Sequence, residues 1–297
     1  MNASELTYHK PVLVREVLTY LSPQPGDLIV DATFGGGGHS RAILAHQLQC
    51  KVIALDWDRT ALDLNATALT EEFPDRFRAI WGNFAQLPLL LAKEGIEKVD
   101  GILADFGTSQ YQIKHREGFS FASDTPLDMR MSPAHQRYTA ADLVNRARLD
   151  ELEYILRTYG EEPRAKKLAR AIYDARRRKK IRTTKELVDI VLAVKPRKRR
   201  DRIHPATTVF QALRVAVNRE LENIEALLQH SISLLNTNGR LVCISFHSLE
   251  DRLVKQFLKG HADLFTITTK KVVRPTAEEV SENPSSRSAR LRAAVRT

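Results

Sequence analysis

The stretch Leu28-Ile29-Val30-Asp31-Ala32-Thr33-Phe34-Gly35-Gly36-Gly37-Gly38-His39-Ser40 is a short apolar run closed by an acid and followed by four glycines. The run has the length and β-branched content of a buried strand. Consecutive glycines are entropically costly, so they mark either a close approach of a ligand to the main chain or a purely structural turn. The spacing does not fit G-x-G-x-x-G, because Ser40 occupies the third glycine position. That weakens a nicotinamide or flavin reading.

Working outward, the strand-acid unit recurs. Lys51-Val52-Ile53-Ala54-Leu55 leads into Asp56, and Val99-Asp100-Gly101-Ile102-Leu103-Ala104 leads into Asp105, with Phe77-Arg78-Ala79-Ile80-Trp81 between them. Helix-like stretches lie around residues 40–49, 59–71 and 85–94. Alternating β and α units predict a doubly wound, mostly parallel α/β sheet of the Rossmann-like type. Past Asp105, residues 114–212 hold little strand character and several helical periods, at 140–148, 150–159, 164–179 and 184–194. A single long helix is expected over 210–235. Strand character then returns at 240–245 after the turn signals of 236–239, and again at 264–273 ahead of a polar tail. The expected organisation is one α/β domain, 1–112 and 213–297, interrupted by an inserted helical domain, 113–212.

Ligands of open α/β sheets sit outside the carboxyl ends of the strands. Four strand ends therefore nominate one crevice: the glycine loop, Asp56, Trp81-Gly82-Asn83-Phe84, and Asp105. An acid, three residues and then G-x-G fits the first strand end of methyltransferases that use S-adenosylmethionine. Asp31 is placed to attract that ligand's ammonium, and loop amides to meet its carboxylate. Asp56 is placed to accept from both ribose hydroxyls, and Asp58 suits a helix N-cap. Phe84 is either an adenine contact or core. His247 and Asp251 near Ser245 and Ser248 invite a hydrolase reading, but the G-x-S-x-G elbow is missing and two-residue spacing does not build a triad. Nine histidines without paired ligand spacing make no case for a metal.

The charge is equally uneven. The chain carries a net +10, yet residues 146–202 alone hold 20 basic against 9 acidic side chains, and the other 240 residues are almost neutral. Two clusters stand out, Arg176-Arg177-Arg178-Lys179-Lys180 and Arg197-Lys198-Arg199-Arg200. Clustered cations repel one another, and a polyanion relieves this while releasing counterions, so nucleic acid is the favoured partner over a solvated helical face. The clusters lack the bulky apolar anchors of a membrane-surface helix. No window approaches 18 apolar residues and no leader pattern opens the chain, which argues against a membrane span and against secretion. Two distant cysteines, Cys50 and Cys243, suit a reducing compartment, the cytoplasm.

Several longer blocks carry a family resemblance. They are Asp31–Ser40, Gly118-Phe119-Ser120-Phe121, Pro126-Leu127-Asp128-Met129-Arg130-Met131, Tyr159-Gly160-Glu161-Glu162, His204-Pro205-Ala206-Thr207, Phe210–Arg214, Val217–Leu221, Ile244–Arg252 and Asn283–Arg292. Together they resemble the bacterial small-subunit ribosomal RNA cytosine-N(4) methyltransferases, the RsmH or MraW family, over nearly the whole chain. The resemblance implies transfer of a methyl group from S-adenosylmethionine to the exocyclic amine of one cytidine in the decoding region of 16S ribosomal RNA. It implies cofactor contacts at Gly37, Gly38, His39, Asp56, Phe84, Asp105 and Gln112. Where the family usually reads Asp-Leu-Gly-Val-Ser-Ser-Pro-Gln, this chain has Asp105-Phe106-Gly107-Thr108-Ser109-Gln110-Tyr111-Gln112, without the stiff Ser-Pro step.

The chemistry required is demanding, because the cytosine amine lone pair is delocalised into the ring. Asp105, or the carbonyls of Phe106 and Gly107, is the expected acceptor for the amine, with Phe106 or Tyr111 stacking on the base and Arg176–Lys180 gripping RNA phosphates. Asp105 is alternatively a pure cofactor ligand. Competing functions are a non-catalytic RNA-binding assembly factor and a DNA amino-methyltransferase. The latter class carries an Asp/Asn-Pro-Pro-aromatic motif that is absent at Asp105-Phe106-Gly107-Thr108.

Overall fold

The computed structural model describes residues 10–108, 110–201 and 203–297. The chain divides into two compact units, one built from residues up to 109 together with Leu221–Thr297, the other from Gln110–Glu220.

The first unit is a seven-stranded sheet. Its strands are β1 (Leu28–Asp31), β2 (Lys51–Asp56), β3 (Phe77–Trp81), β4 (Val99–Asp105), β5 (Leu235–Ser245), β6 (Phe265–Ile267) and β7 (Arg290–Arg296), in the order β3-β2-β1-β4-β5-β7-β6. The first five pair parallel, while β7 runs antiparallel to both β5 and β6. The near-continuous apolar character of β1, β2 and β4 follows from burial on both faces. On one face Ile53, Leu55, Ile102 and Cys243 pack with Leu87, Leu91, Leu227, Val254 and Phe257. On the other, Ile29, Val52, Leu103 and Ile244 pack with Val17, Leu21, Ile43 and Leu69. Helices therefore cover both faces, as a doubly wound sheet requires, and the direction of winding reverses between β1 and β4. The crevice at that reversal is where ligands of such sheets bind.

Two departures from the sequence reading have clear physical causes. The expected polar tail supplies β7, whose Leu291, Ala293 and Ala294 are buried while its arginines are partly exposed. Arg292 also forms a bidentate pair with Asp251, at 2.7 and 3.2 Å. The turn signals at 236–239 are a bulge inside β5 rather than a boundary before it. Leu235 already pairs with Val99, and the register resumes at Gly101 with Arg240.

The second unit is helical: Gln110–His115, Ala140–Arg146, Leu149–Thr158, Ala165–Arg178, Thr184–Val194 and Thr207–Asn218. Its core gathers Leu127, Val144, Leu156, Leu168, Ile172, Leu187, Val191, Phe210 and Leu213. The long helix expected over 210–235 is two helices, Thr207–Asn218 and Glu220–Leu234, broken at Arg219, whose φ of 51° is left-handed. Residues 212 and 213 both lie inside the first of these and both face the insertion's own core. Three internal locks hold the unit. Buried Asn218 donates to the Met129 carbonyl and accepts from Met131 N–H, each at 2.8 Å. Asp128 and Arg130 pair at 2.8 and 2.7 Å, so this ion pair fastens the insertion to itself. Glu162, 2 % exposed, accepts from Lys195 at 2.8 Å, Thr208 at 2.5 Å and Arg164 N–H at 3.0 Å.

Candidate active site

Four of the five parallel strands, β1 to β4, lead into residues that build the crevice. At the end of β1, Asp31 is wholly buried. One of its oxygens accepts from Ser40 Oγ at 2.7 Å and the other from Thr33 N–H at 3.2 Å. Burial pushes its carboxyl above the usual range, against the nearby His39. Asp31 thus braces the loop from below, both of its oxygens accepting from within it.

The four glycines are not equivalent. Gly37 has φ +74° and opens the helix Gly38–His46, and a Cβ there would lie 2.8 Å from the Phe34 ring. A Cβ on Gly38 would meet the Pro11 ring at 2.7 Å. At both positions glycine is demanded by the protein's own packing. Gly35 is different: it has φ +53° and nothing within 4 Å of a would-be Cβ, so this is where main chain faces open space. Its N–H donates to Asp56 at 2.7 Å. Sequence reasoning missed Gly35 because four identical residues in a row carry no mark of which one is open.

At the end of β2, Asp56 accepts from Gly35 N–H through one oxygen and from Asp58 N–H, also at 2.7 Å, through the other. The residue as a whole keeps some exposure, but its carboxyl is enclosed, and burial raises its pKa from 3.8 to about 7 despite those two amides. Asp58 caps the helix Arg59–Glu72 by accepting from Thr60 N–H. After β3, Asn83 caps a short 3-10 turn, Phe84–Gln86, that holds Phe84 half-buried with its ring 6.1 Å from Phe106.

At the end of β4, Asp105 is 8 % exposed. Its N–H donates to Thr33 Oγ1 at 2.7 Å, tying β4 to the glycine loop, and its Oδ1 accepts from Gly107 N–H at 3.0 Å. Its Oδ2 lies 4.0 Å from Nδ1 of His39, itself buried, whose Nε2 donates to the Val12 carbonyl at 2.8 Å. The crevice thus brings together Gly35, Gly37, Gly38, His39, Asp56, Phe84 and Asp105. Phe106 is buried, so the expectation that it stacks on a base gives way to packing against Phe84. Gln112 and Tyr111 stand on the helix Gln110–His115 in the other unit, where Tyr111 packs against His115. The hydrolase candidates have structural roles: His247 and Glu250 cap the helix Ser248–Gly260, and Asp251 holds Arg292.

In the helical unit the expected phosphate grip is not uniform. Arg176 donates to the Val144 carbonyl at 2.8 Å and lies 4.5 Å over the Tyr173 ring, so it is a packing residue. Lys179 pairs with Glu186 at 2.6 Å. Arg177, Arg178 and Lys180 are exposed.

Comparison with known proteins is decisive. The model of the MraW methylase family matches residues 6–297. The chain belongs to that family. Relatives named "Ribosomal RNA small subunit methyltransferase H" include one from Sulfurihydrogenibium sp. (strain YO3AOP1), 47% identical over 287 residues, covering 96% of this chain and 97% of its own. Another, from Thermomicrobium roseum, is 47% identical over 309 residues, covering 98% and 94%. A solved rRNA methylase from Streptococcus thermophilus aligns over 95% of this chain and 93% of its own, with a TM-score of 0.45 and 10% identity. As a family methylase, the protein needs a methyl donor, and S-adenosylmethionine fits the residues present. Three carboxylates, Asp31, Asp56 and Asp105, end β1, β2 and β4, and no lysine or arginine stands within residues 31–40. That field suits a ligand with a sulfonium and an ammonium and opposes one with a pyrophosphate. Among the described residues no helix is long and apolar enough to cross a membrane.

Proposed function

We propose that this protein transfers the methyl group of S-adenosylmethionine to the N(4) amine of a cytidine in the decoding region of 16S ribosomal RNA, within the small ribosomal subunit and in the cytoplasm. The observation that carries the reading is the convergence of Asp31, Asp56 and Asp105 around a glycine loop at the switch point of the sheet, in a chain whose excess positive charge is confined to a helical insertion. The names of the relatives supply the substrate class. When bound, S-adenosylmethionine offers an electrophilic methyl carbon on sulfur. Asp56 accepts from the ribose hydroxyls beside the open main chain at Gly35. The Gly37-Gly38-His39 backbone and Phe84 complete the cofactor contacts within this unit. Asp105 and the Phe106 and Gly107 carbonyls, at the end of β4, accept from the cytosine amine as it becomes tetrahedral. Arg177, Arg178 and Lys180 grip phosphates.

The test is incubation of purified protein with radiolabelled S-adenosylmethionine and unmodified small ribosomal subunits, followed by nucleoside mass analysis. A cytidine labelled on its exocyclic amine is expected. Absence of label despite cofactor binding retires the substrate, and absence of cofactor binding leaves the non-catalytic RNA-binding reading. Asp105→Asn separates the two roles of that acid. Unchanged cofactor affinity with lost turnover assigns it to methyl transfer, and equal losses assign it to the cofactor.

A further inference from the structure

The helix Val14–Leu21 begins without a cap of its own. Its N-cap position, Leu13, has a left-handed φ of 53° and a side chain that cannot accept a hydrogen bond. The cap comes from more than 260 residues further along the chain. Glu279, on the helix Ala277–Glu282, accepts from Leu13 N–H through Oε1 at 2.7 Å. The same short helix and the residue after it hold Lys10: Glu282 pairs with its Nζ at 2.7 Å, and Asn283 Nδ2 donates to its carbonyl at 3.1 Å. Residues 10–13 are therefore strapped down from outside.

Their inner side forms one wall of the glycine loop. Pro11 lies so close to Gly38 that any side chain there would collide with it. The Val12 carbonyl, one residue from the Glu279 contact, accepts from His39 Nε2 at 2.8 Å. A carbonyl only accepts, so this bond requires a proton on Nε2 and turns Nδ1 toward Asp105 Oδ2, 4.0 Å away. Val12 and Leu13 have no exposed surface, and His39 has 6 %. The ring's position and its Nε2 proton are thus set by a carbonyl whose own position is set by the carboxylate of Glu279.

We propose that Glu279 is a positioning residue for the cofactor site, acting through the Leu13 N–H and the Val12 carbonyl to orient His39 against Asp105. This rests on the reading above that His39 borders S-adenosylmethionine. The chain's two tryptophans supply a probe, since Trp57 follows Asp56 and Trp81 is its register partner on β3. Their fluorescence is to be followed during titration of the full chain with S-adenosylmethionine. A hydrogen bond to a charged group, partly transmitted to the ligand, predicts cofactor binding about tenfold weaker in Glu279→Ala, or about 1.4 kcal/mol. Turnover at saturating cofactor stays within about twofold, because the geometry is recovered once the ligand is bound. Glu279→Gln keeps an acceptor at the same place and restores wild-type affinity. Glu282→Ala, which breaks only an exposed ion pair, is expected to change affinity little.

A second readout needs no cofactor. The ¹⁵N shifts of the His39 ring report a single Nε2–H tautomer in the wild type and in Glu279→Gln, and a mixture in Glu279→Ala. Asn283→Ala, which loosens the strap more gently, shifts both readouts in the same direction. Wild-type affinity and a single tautomer in Glu279→Ala overturn the proposal, as does a Gln variant as weak as the Ala variant. Failure of the wild type itself to bind S-adenosylmethionine overturns the functional reading instead, while the tautomer comparison still tests the strap.

Discussion

Asp56 concentrates the electrostatics of the crevice in one side chain. Its pKa of about 7 arises first from burial, which disfavours the charged form, with the Gly35 and Asp58 amides pulling it part of the way back. The folded protein therefore keeps a proton that the unfolded chain has already lost from about pH 4 upward, so this group's contribution to stability declines as pH rises from about 4 to about 7. Cofactor binding runs the opposite way. The ionised carboxylate is the better acceptor for a diol, so S-adenosylmethionine is expected to bind several-fold more tightly at pH 8 than at pH 6. Asp56→Asn should bind weakly and without that slope. Calorimetric titration at four pH values checks it, and a flat wild-type profile would remove Asp56 from the ribose contact. The strand-end position of Asp56 was legible in sequence because an acid closing a buried strand has few other uses. The distinction between Gly35 and its neighbours was not, since it depends on Pro11 and Phe34 filling the space over Gly38 and Gly37.

Among the secondary-structure elements, β1 to β4 declared themselves through continuous apolar runs, and the helices of the insertion through their periodicity. The failures share one cause: a local pattern overridden by a distant partner. The β7 stretch reads as polar because arginines alternate with small residues, and only the pairing with β5 and β6 makes it a strand. Leu291, fully buried there, is expected to cost about 2–5 kcal/mol when truncated to Ala, measured by denaturant unfolding. The break at Arg219 is equally silent, since residues 210–235 keep an apolar helical rhythm across it. Its left-handed backbone disfavours a branched side chain, so Arg219→Gly is expected to hold stability within about 1 kcal/mol or raise it. Arg219→Val is expected to lower it by more. Equal midpoints for the two would show that the helix break tolerates either residue.

For the whole molecule, charge confined to one unit predicts a division of labour visible in salt dependence. Neutralising Arg177, Arg178 and Lys180 together should flatten the slope of log affinity for RNA against log salt by roughly two, the release expected when about three phosphate contacts are lost. Affinity for S-adenosylmethionine should not change. Arg176→Ala should act on stability instead, because its guanidinium is bonded to the Val144 carbonyl and stacked over Tyr173. An unaltered slope in the triple variant would exclude this cluster from the RNA interface. Composition alone located the basic unit, but it could not divide the five consecutive cations into those bonded within the protein and those that face solvent.

The place of β7 in the sheet has a consequence for how the protein is made. Synthesis proceeds from the N-terminus, and domains generally form as their segments become available. The insertion is a single continuous segment, 110–220, and is complete long before residues 290–296 emerge. Until then β5 has an unpaired edge and β6 has no neighbour. A nascent chain therefore displays its basic helical unit before the sheet behind the crevice is complete, so its clustered positive charge is in place ahead of its methyl-transfer site.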